Sequence, residues 1–253
     1  PFPEEANRQL TGILADLHFA PTETAKNNLI RENKKKENIF VVGNTVIDAL
    51  LSTVKENYRF ADKEIEDIEE HKRVILVTTH RRENLGTPMH HVYKALRRLV
   101  ETVPHTEVVF PVHRNPLVRE AVEEELEGVP GIHLVEPMEY EPFTNLMARS
   151  SIVLTDSGGI QEEAPSLGKP VLVLRDTTER PEAIEAGTVK LVGTDENLIY
   201  ETAYRLLTDK KSYDAMSEAV NPYGDGKASE RIVETLLYRS GLSDKKPSKF
   251  IAK

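Results

Sequence analysis

The sequence predicts an α/β protein with a doubly wound, Rossmann-like parallel sheet. From residue 74 onwards, short apolar runs rich in β-branched residues alternate with longer amphipathic stretches. Continuous apolar runs indicate strands buried on both faces, and the stretches between them supply the covering helices. Polar or glycine-containing turns follow several runs, at the carboxyl ends of strands where open sheets of this class bind ligands.

The elements up to residue 54 form a first group. Helices are expected over 4–16, from Pro21 onwards and over 46–54, with short strands over 17–20 and 39–42. Pro21 suits the first turn of a helix because its φ is preset and its missing N–H has no helical partner there. Residues 55–72 are charged and weakly apolar, so a linker or bridging helix between two lobes is expected.

Residues 73–240 carry the regular alternation and form a second group. Strands are expected over 74–78, 107–112, 133–135, 152–154, 171–174 and 189–192. Helices are expected over 89–103, 117–127, 143–148, 160–167, 182–186, 196–207 and 229–238. Residues 241–253 form a tail whose basic end, 245–253, is expected to be frayed.

The composition favours a soluble globular protein and argues against a nonspecific nucleic-acid binder. The chain has 42 acidic and 33 basic residues and a net charge of -9, whereas proteins that bind the phosphate backbone concentrate positive charge. It contains no cysteine and no long apolar span, so a cytoplasmic location without membrane attachment is expected. The chain begins at Pro1, in the middle of a motif, and is expected to be part of a longer protein.

A Ser-Gly-Gly turn is the most informative motif. Ser157, Gly158 and Gly159 follow an apolar run and precede a stretch compatible with a helix. Free backbone N–H groups at a helix start favour an anion, typically a phosphate. Glu163, less than two turns further on, could accept hydrogen bonds from a ribose. The alternative is a simple turn in which Asp156 or Ser157 caps the helix.

Histidine and arginine side chains follow two further strands. His80 and Arg81 come after the run 74–78, and His113 comes after 107–112. Arginine binds phosphate or carboxylate, and histidine exchanges a proton near neutral pH. The carboxyl ends of parallel strands share one edge of a sheet, so these residues are expected to face the same crevice. Capped turns with solvated side chains are the alternative, and for His113 local capping explains the pattern equally well.

Three more segments offer candidate residues. Arg180 precedes a helix start and could meet a phosphate or a sugar hydroxyl, although a salt-bridged cap would use the same groups. Met138 and Phe143 frame a turn where an aromatic ring could lie against a base, but a single aromatic residue is more often part of the core. Glu4 stands in the first turn of a helix, where the helix dipole favours acids, and its spacing alone does not indicate catalysis.

Six segments together resemble the bacterial non-hydrolysing UDP-N-acetylglucosamine 2-epimerases, over a match that runs from Pro1 to about Tyr238. They are PEEANR at 3–8, GNTVID at 43–48, HRRE at 80–83, TDSGGIQEE at 155–163, RDTTER at 175–180 and NPYGDG at 221–226. The resemblance implies two Rossmann-like lobes of the GT-B type. Residues 1–54 would be the last part of the first lobe, 55–72 the hinge, 73–240 the UDP-binding second lobe and 241–253 a tail.

The resemblance implies reversible C2 epimerisation of UDP-GlcNAc to UDP-ManNAc for cell-surface polysaccharide synthesis. UDP and the C2 proton would leave to give a 2-acetamidoglucal intermediate, and UDP would add back with the proton on the opposite face. The family implies no metal or other cofactor, no nucleic-acid or membrane partner, and a homodimer.

Residue roles are implied by the same resemblance at matching positions. Ser157, Gly158 and Gly159 would hold the diphosphate, Glu163 the ribose, Arg180 a phosphate or the sugar, and Phe143 with the backbone at Met138 the uracil. His80 and Glu4 would be catalytic, and Arg81 and His113 would bind a second UDP-GlcNAc as an allosteric activator. The family often has glutamine where this chain has Met138.

The sequence leaves other functions open. A hydrolysing relative would release ManNAc and UDP, and a glycosyltransferase could use the same scaffold. In the family, an essential aspartate and a further glutamate lie upstream of the position that matches Pro1, which leaves open a non-catalytic UDP-binding module. The 253-residue chain alone is expected to bind UDP weakly and not to epimerise.

Overall fold

The computed structural model describes residues 3–252, and the chain divides into two compact units. One unit contains the chain up to Leu51 together with the segment from Pro222, and the other runs from Ser52 to Asn221. This division differs from the expected boundaries, because residues 222–240, which the sequence assigned to the second lobe, group with the N-terminal segment.

The first unit begins with three helices and two short strands. They are α1 (Glu4–Leu14), β1 (His18–Ala20), α2 (Glu23–Arg31), β2 (Ile39–Val41) and α3 (Thr45–Thr53). β1 and β2 are parallel, with His18 opposite Ile39. The side chain of Thr22 accepts a hydrogen bond from Ala25 N at 3.1 Å, so Thr22 caps α2 and the helix begins after Pro21, close to where it is expected.

The second unit alternates strands and helices. Its elements are α4 (Lys63–Glu66), β3 (Arg73–Thr78), α5 (Thr87–Thr102), β4 (Thr106–Pro111), α6 (Pro116–Leu126), β5 (Ile132–Val135), α7 (Tyr140–Arg149), β6 (Ile152–Thr155), α8 (Ile160–Glu163), β7 (Val171–Val173), α9 (Pro181–Ala186), β8 (Val189–Leu191), α10 (Glu196–Thr208) and α11 (Lys210–Ser217). All strand pairs in it are parallel, which confirms the α/β prediction.

The strand order of this sheet is β5-β4-β3-β6-β7-β8. Counted from β3, this is the 3-2-1-4-5-6 order of dinucleotide-binding folds, and the direction of winding reverses between β3 and β6. Thr78 of β3 lies opposite Thr155 of β6, and their hydroxyl oxygens are 2.7 Å apart. The two central strands therefore end level with each other, and the loops that follow them begin side by side.

The core of this unit lies between the sheet and its helices. Ile75, Val77 and Leu154 of the central strands are fully buried in one cluster with Leu96 and Leu99 of α5. These strands are covered on both faces, so successive positions along them are apolar, and this is why they appear in the sequence as near-continuous apolar runs.

The helix expected over 160–167 is interrupted. α8 ends at Glu163, and a 3₁₀ turn, Ala164–Leu167, follows it. Pro165 has no backbone N–H with which to continue the α-helical ladder, and Gly168 ends the turn at φ 66°. The helix α11 lies in a stretch for which no element was expected.

The C-terminal segment is anchored to the first unit. The helix α12 comprises Ala228–Arg239. The carboxylate of Asp48 accepts hydrogen bonds from the first two backbone N–H groups of α12, Ala228 N at 3.1 Å and Ser229 N at 2.7 Å. Phe250 is 5% exposed, and its N–H donates to Val41 O at 2.9 Å. The expectation of a frayed tail is therefore wrong for this part, because an aromatic side chain late in the chain finds a buried site.

None of the helices in residues 3–252 combines the length and the apolar composition that crossing a membrane requires.

Candidate functional site

The candidate site lies where the central strands β3 and β6 end. His80 and Arg81 follow β3, and Asp156 and Ser157 follow β6. This is the reversal point of the sheet, where folds of this class form a ligand crevice at the carboxyl ends of the strands. Neighbouring strands thus bring together two of the expected groups of residues.

Asp156 joins the two loops. It is fully buried, and its Oδ2 accepts from the backbone N–H groups of His80 and Arg81, both at 2.9 Å. Its Oδ1 lies 3.0 Å from Nδ1 of His80. Burial alone would raise the pKa of Asp156, but His80 and the two backbone donors hold that pKa below its usual value.

His80 is the partner of Asp156 in this contact. The hydrogen-bonding attraction of Asp156 raises the pKa of His80, although partial burial and the nearby charge of Arg81 act in the opposite direction. Its ring stacks on that of His113, with centroids 6.0 Å apart and planes inclined by 26°. His113, which follows β4, accepts at Nδ1 from Asn115 N at 3.1 Å.

The Ser-Gly-Gly turn adopts an open geometry. The N–H of Ser157 donates to Thr155 Oγ1 at 3.0 Å, and α8 begins after Gly159 without a side-chain cap. Gly159 is exposed, and a Cβ there would meet nothing within 4 Å. The capping alternative is not what this turn shows, since the Asp156 carboxylate points instead to the loop after β3.

Two adjacent acids of α8 are buried beside this turn. Arg180, just before α9, donates its Nε–H to the carboxylate of Glu162. Burial and the charge of Glu162 raise the pKa of Glu163 to about 7. Arg180 is therefore paired with an acid of the Ser-Gly-Gly segment, and this pair brings the loop after β7 to that segment.

Sequence reasoning missed two residues of this cluster. Arg175 follows β7, and its side chain is 11% exposed; its Nη1 donates to Glu179 Oε2 at 2.7 Å and its Nε to Glu83 Oε1 at 3.0 Å. Glu179 Oε1 also lies 3.6 Å from Nη2 of Arg81 and 2.7 Å from where a Cβ on Gly158 would stand. The strand-end position of Arg175 was a signal that could have identified it.

Three other candidates lie elsewhere on the chain. Met138 lies in the loop after β5, and Phe143 lies in the first half of α7; both are partly exposed. Glu4 is exposed in the first turn of α1, in the other unit. Across residues 3–252 the structure contains no cluster of three or more histidine or acidic side chains that could hold a metal ion.

Comparison with known proteins identifies a family. The model of the family described as UDP-N-acetylglucosamine 2-epimerase matches residues 1–237. The UDP-N-acetylglucosamine 2-epimerase of Bacillus subtilis is 57% identical over the whole chain, and the chain spans 66% of that relative. The chain is thus shorter than this relative by about a third.

Two solved structures carry ligands. The S. aureus MnaA–UDP co-structure is 51% identical, with a TM-score of 0.91 over 99% of this chain and 68% of that one. The Neisseria meningitidis UDP-GlcNAc 2-epimerase bound to UDP-GlcNAc is 50% identical, with a TM-score of 0.83 over 94% of this chain and 65% of that one. Similar chains therefore bind UDP or a UDP-sugar.

Proposed function

Because the chain belongs to the UDP-N-acetylglucosamine 2-epimerase family, we propose that the whole protein interconverts UDP-GlcNAc and UDP-ManNAc by inverting C2. The proposed role is in cell-surface polysaccharide synthesis. The observation that carries the proposal is the position of Ser157 and Gly158 beside His80, at the reversal point of a Rossmann-type sheet. The names and bound ligands of the relatives support it.

The second unit is proposed to hold UDP. The open turn Ser157, Gly158 and Gly159 offers backbone N–H groups to the diphosphate, and Arg180 supplies positive charge next to it. Glu163 accepts hydrogen bonds from the ribose hydroxyls. The uracil lies against Phe143, with the backbone at Met138 as its polar partner.

The proposed reaction eliminates UDP and adds it back. The C1–O bond breaks with its electron pair leaving on the β-phosphate oxygen, a general base takes the C2 proton, and a C1=C2 double bond forms. Addition of UDP to this 2-acetamidoglucal reverses both changes, with the proton delivered to the opposite face. His80 stabilises the departing diphosphate, and Glu4 is one of the carboxyl groups that serve the proton transfers.

Regulation and assembly are part of the same proposal. Arg81 and His113 bind a second UDP-GlcNAc as an activator, and the protein acts as a homodimer in the cytoplasm. Arg81 and His113 follow β3 and β4, so this second ligand lies close to His80.

The test is turnover by the whole protein in D₂O, followed by proton NMR. UDP-ManNAc should form from UDP-GlcNAc, and deuterium should enter at C2 of both sugars. Free ManNAc and UDP as the products would show a hydrolysing enzyme, and epimerisation without deuterium at C2 would rule out the elimination route. A His80→Asn variant assayed at the same concentration controls for contaminating epimerase.

A further inference from the structure

The strongest unassigned feature of the site is the buried carboxylate of Asp156. A carboxylate that is fully removed from water needs compensating donors, and this one has several. Beyond the backbone donors at His80 and Arg81, its Oδ2 lies 3.4 Å from Nδ2 of Asn84, which also donates to Leu174 O at 3.0 Å. The loop after β3 is therefore arranged around a side chain supplied by the end of β6.

The Oδ1 of the same carboxylate determines the protonation of His80. Asp156 Oδ1 is buried and accepts no hydrogen bond from any other group among residues 3–252. Nδ1 of His80 lies 3.0 Å from it, so the neutral ring is most stable with its hydrogen on Nδ1, facing the carboxylate. Nε2 is then left for a ligand, and it becomes a donor when the ring is charged.

Other charged and titratable groups surround this pair. Nε of Arg81 donates to Asp156 O at 3.2 Å, and Glu179 lies 3.6 Å from Arg81. His113 stacks on His80 with its own Nδ1 occupied as an acceptor. From α5, the hydroxyl of Tyr93 contacts Thr79 Oγ1 at 3.0 Å, next to His80 in the chain. Among these groups Asp156 is the carboxylate that contacts the His80 ring.

On the basis of the proposed function, we propose that Asp156 is a positioning residue for His80. It keeps the proton on Nδ1 and fixes the loop, so that charged His80 presents Nε2–H to the diphosphate of UDP. Asp156 touches no part of the substrate and acts through His80.

The direct test uses nitrogen-15 NMR of the histidine rings in the 253-residue chain, with His80 assigned from the spectrum of His80→Asn. Neutral His80 should carry its proton on Nδ1. A neutral ring protonated on Nε2 overturns the proposal without any Asp156 variant, and this readout does not depend on turnover or on UDP binding.

The variant Asp156→Asn tests whether the carboxylate supports the charged form of His80 and, through it, UDP binding. Its side-chain oxygen can still accept from the two backbone N–H groups, but the side chain no longer carries a charge beside Nδ1, so His80 should titrate at lower pH. UDP affinity, measured by calorimetry, should fall about tenfold at pH 7, where the variant histidine is mostly neutral. It should recover at a pH low enough to charge His80 in both proteins.

Glu125→Gln is the matched control, because Glu125 Oε1 on α6 also lies 3.0 Å from a histidine, Nδ1 of His90 on α5, and neither residue contacts Asp156 or His80. It should leave UDP affinity unchanged. A folded Asp156→Asn with unaltered His80 titration, or with a loss of affinity that is the same at every pH, overturns the positioning role. If the whole protein binds no UDP, the proposed function fails, while the ring measurement on the 253-residue chain still decides the state of His80.

Discussion

Glu162 and Glu163 are consecutive buried acids of α8 with different electrostatic surroundings. Glu162 receives the Nε–H of Arg180, whereas burial and the charge of Glu162 raise the pKa of Glu163 to about 7. Glu163 is 8% exposed. A carboxyl group that is half protonated near neutral pH therefore stands where the ribose is proposed to bind.

Replacing Glu163 with glutamine should stabilise the fold at high pH. The ordinary pKa of a glutamate side chain is 4.5 and the pKa of Glu163 in the fold is about 7, so between these values the folded state binds more protons and the free energy of unfolding falls as pH rises. The cost of ionising Glu163 reaches about 3 kcal/mol above pH 7. Urea unfolding should show Glu163→Gln more stable than the wild type at pH 8, with a much smaller gain at pH 5.

The control for this prediction is Glu185→Gln, at an exposed position of α9, which should leave the free energy of unfolding unchanged at pH 5 and at pH 8. Equal stability of the wild type and Glu163→Gln at pH 8 would contradict the raised pKa. If Glu163 binds the ribose, the stabilised variant should also bind UDP about tenfold more weakly, because a charged acceptor is replaced by a neutral one. Binding of 2′,3′-dideoxy-UDP should be insensitive to the substitution.

Gly158→Ala should weaken UDP binding far more than it weakens the fold. The added Cβ would stand 2.7 Å from Oε1 of Glu179, the end of a flexible, exposed side chain that can move aside. A diphosphate that must approach the backbone has no such freedom. We expect a change in unfolding free energy below about 1 kcal/mol and at least a tenfold rise in the Kd for UDP.

Gly12→Ala, in α1 of the other unit, is the comparison for Gly158→Ala, because its Cβ would make only ordinary contacts with Lys34 at 3.5 Å. Calorimetry at one pH gives the Kd for UDP of both variants, and only Gly158→Ala should show the rise. Unchanged UDP affinity in folded Gly158→Ala would show that the ligand does not approach this glycine.

Glu179→Gln should tighten UDP binding. The Glu179 carboxylate pairs with Arg175 and lies close to both Arg81 and Gly158, so an incoming diphosphate competes with it for the same positive groups. Removing its charge should lower the Kd about threefold at low salt, and added salt should reduce the difference.

Glu185→Gln, at an exposed position of α9, provides the reference for Glu179→Gln. It should leave the Kd unchanged at every salt concentration. Weaker binding by Glu179→Gln would mean instead that Glu179 orients Arg175 for the ligand.

Phe250→Ala should destabilise the first unit. The ring is 5% exposed, and the guanidinium of Arg231 lies 5.4 Å from its centroid. Truncating a buried phenylalanine costs about 3 kcal/mol. The neighbouring Ile251 is 64% exposed, so Ile251→Ala should change the unfolding free energy by less than about 0.5 kcal/mol. Equal urea unfolding curves for the two variants would show that the tail does not contribute to stability.

The helices and strands from β3 to α10 could be predicted from the sequence to within a few residues, although α8 ends earlier than expected. The short helices α4 and α11 were not predicted. The apolar pattern of an element is written in its own residues, so it can be read from the local sequence. Ile75 and Val77, both fully buried in β3, are an example. The end of α8 before Pro165 also has a local cause, because proline lacks the backbone N–H that would continue the helix. The apolar pattern over 160–167 nevertheless predicted one continuous helix. The segment α11 carries a weak apolar pattern with no buried residues.

The sequence by itself determined which residue types follow each strand, and so it indicated His80, Ser157 and Arg180 as candidates. Tertiary structure decided which of them meet. Asp156 contacts His80 across 76 positions because β6 pairs with β3, and strand pairing is a long-range choice that no local pattern encodes. The burial that raises the pKa of Glu163 arises in the same way, since it depends on chain segments packing together rather than on the residues beside it.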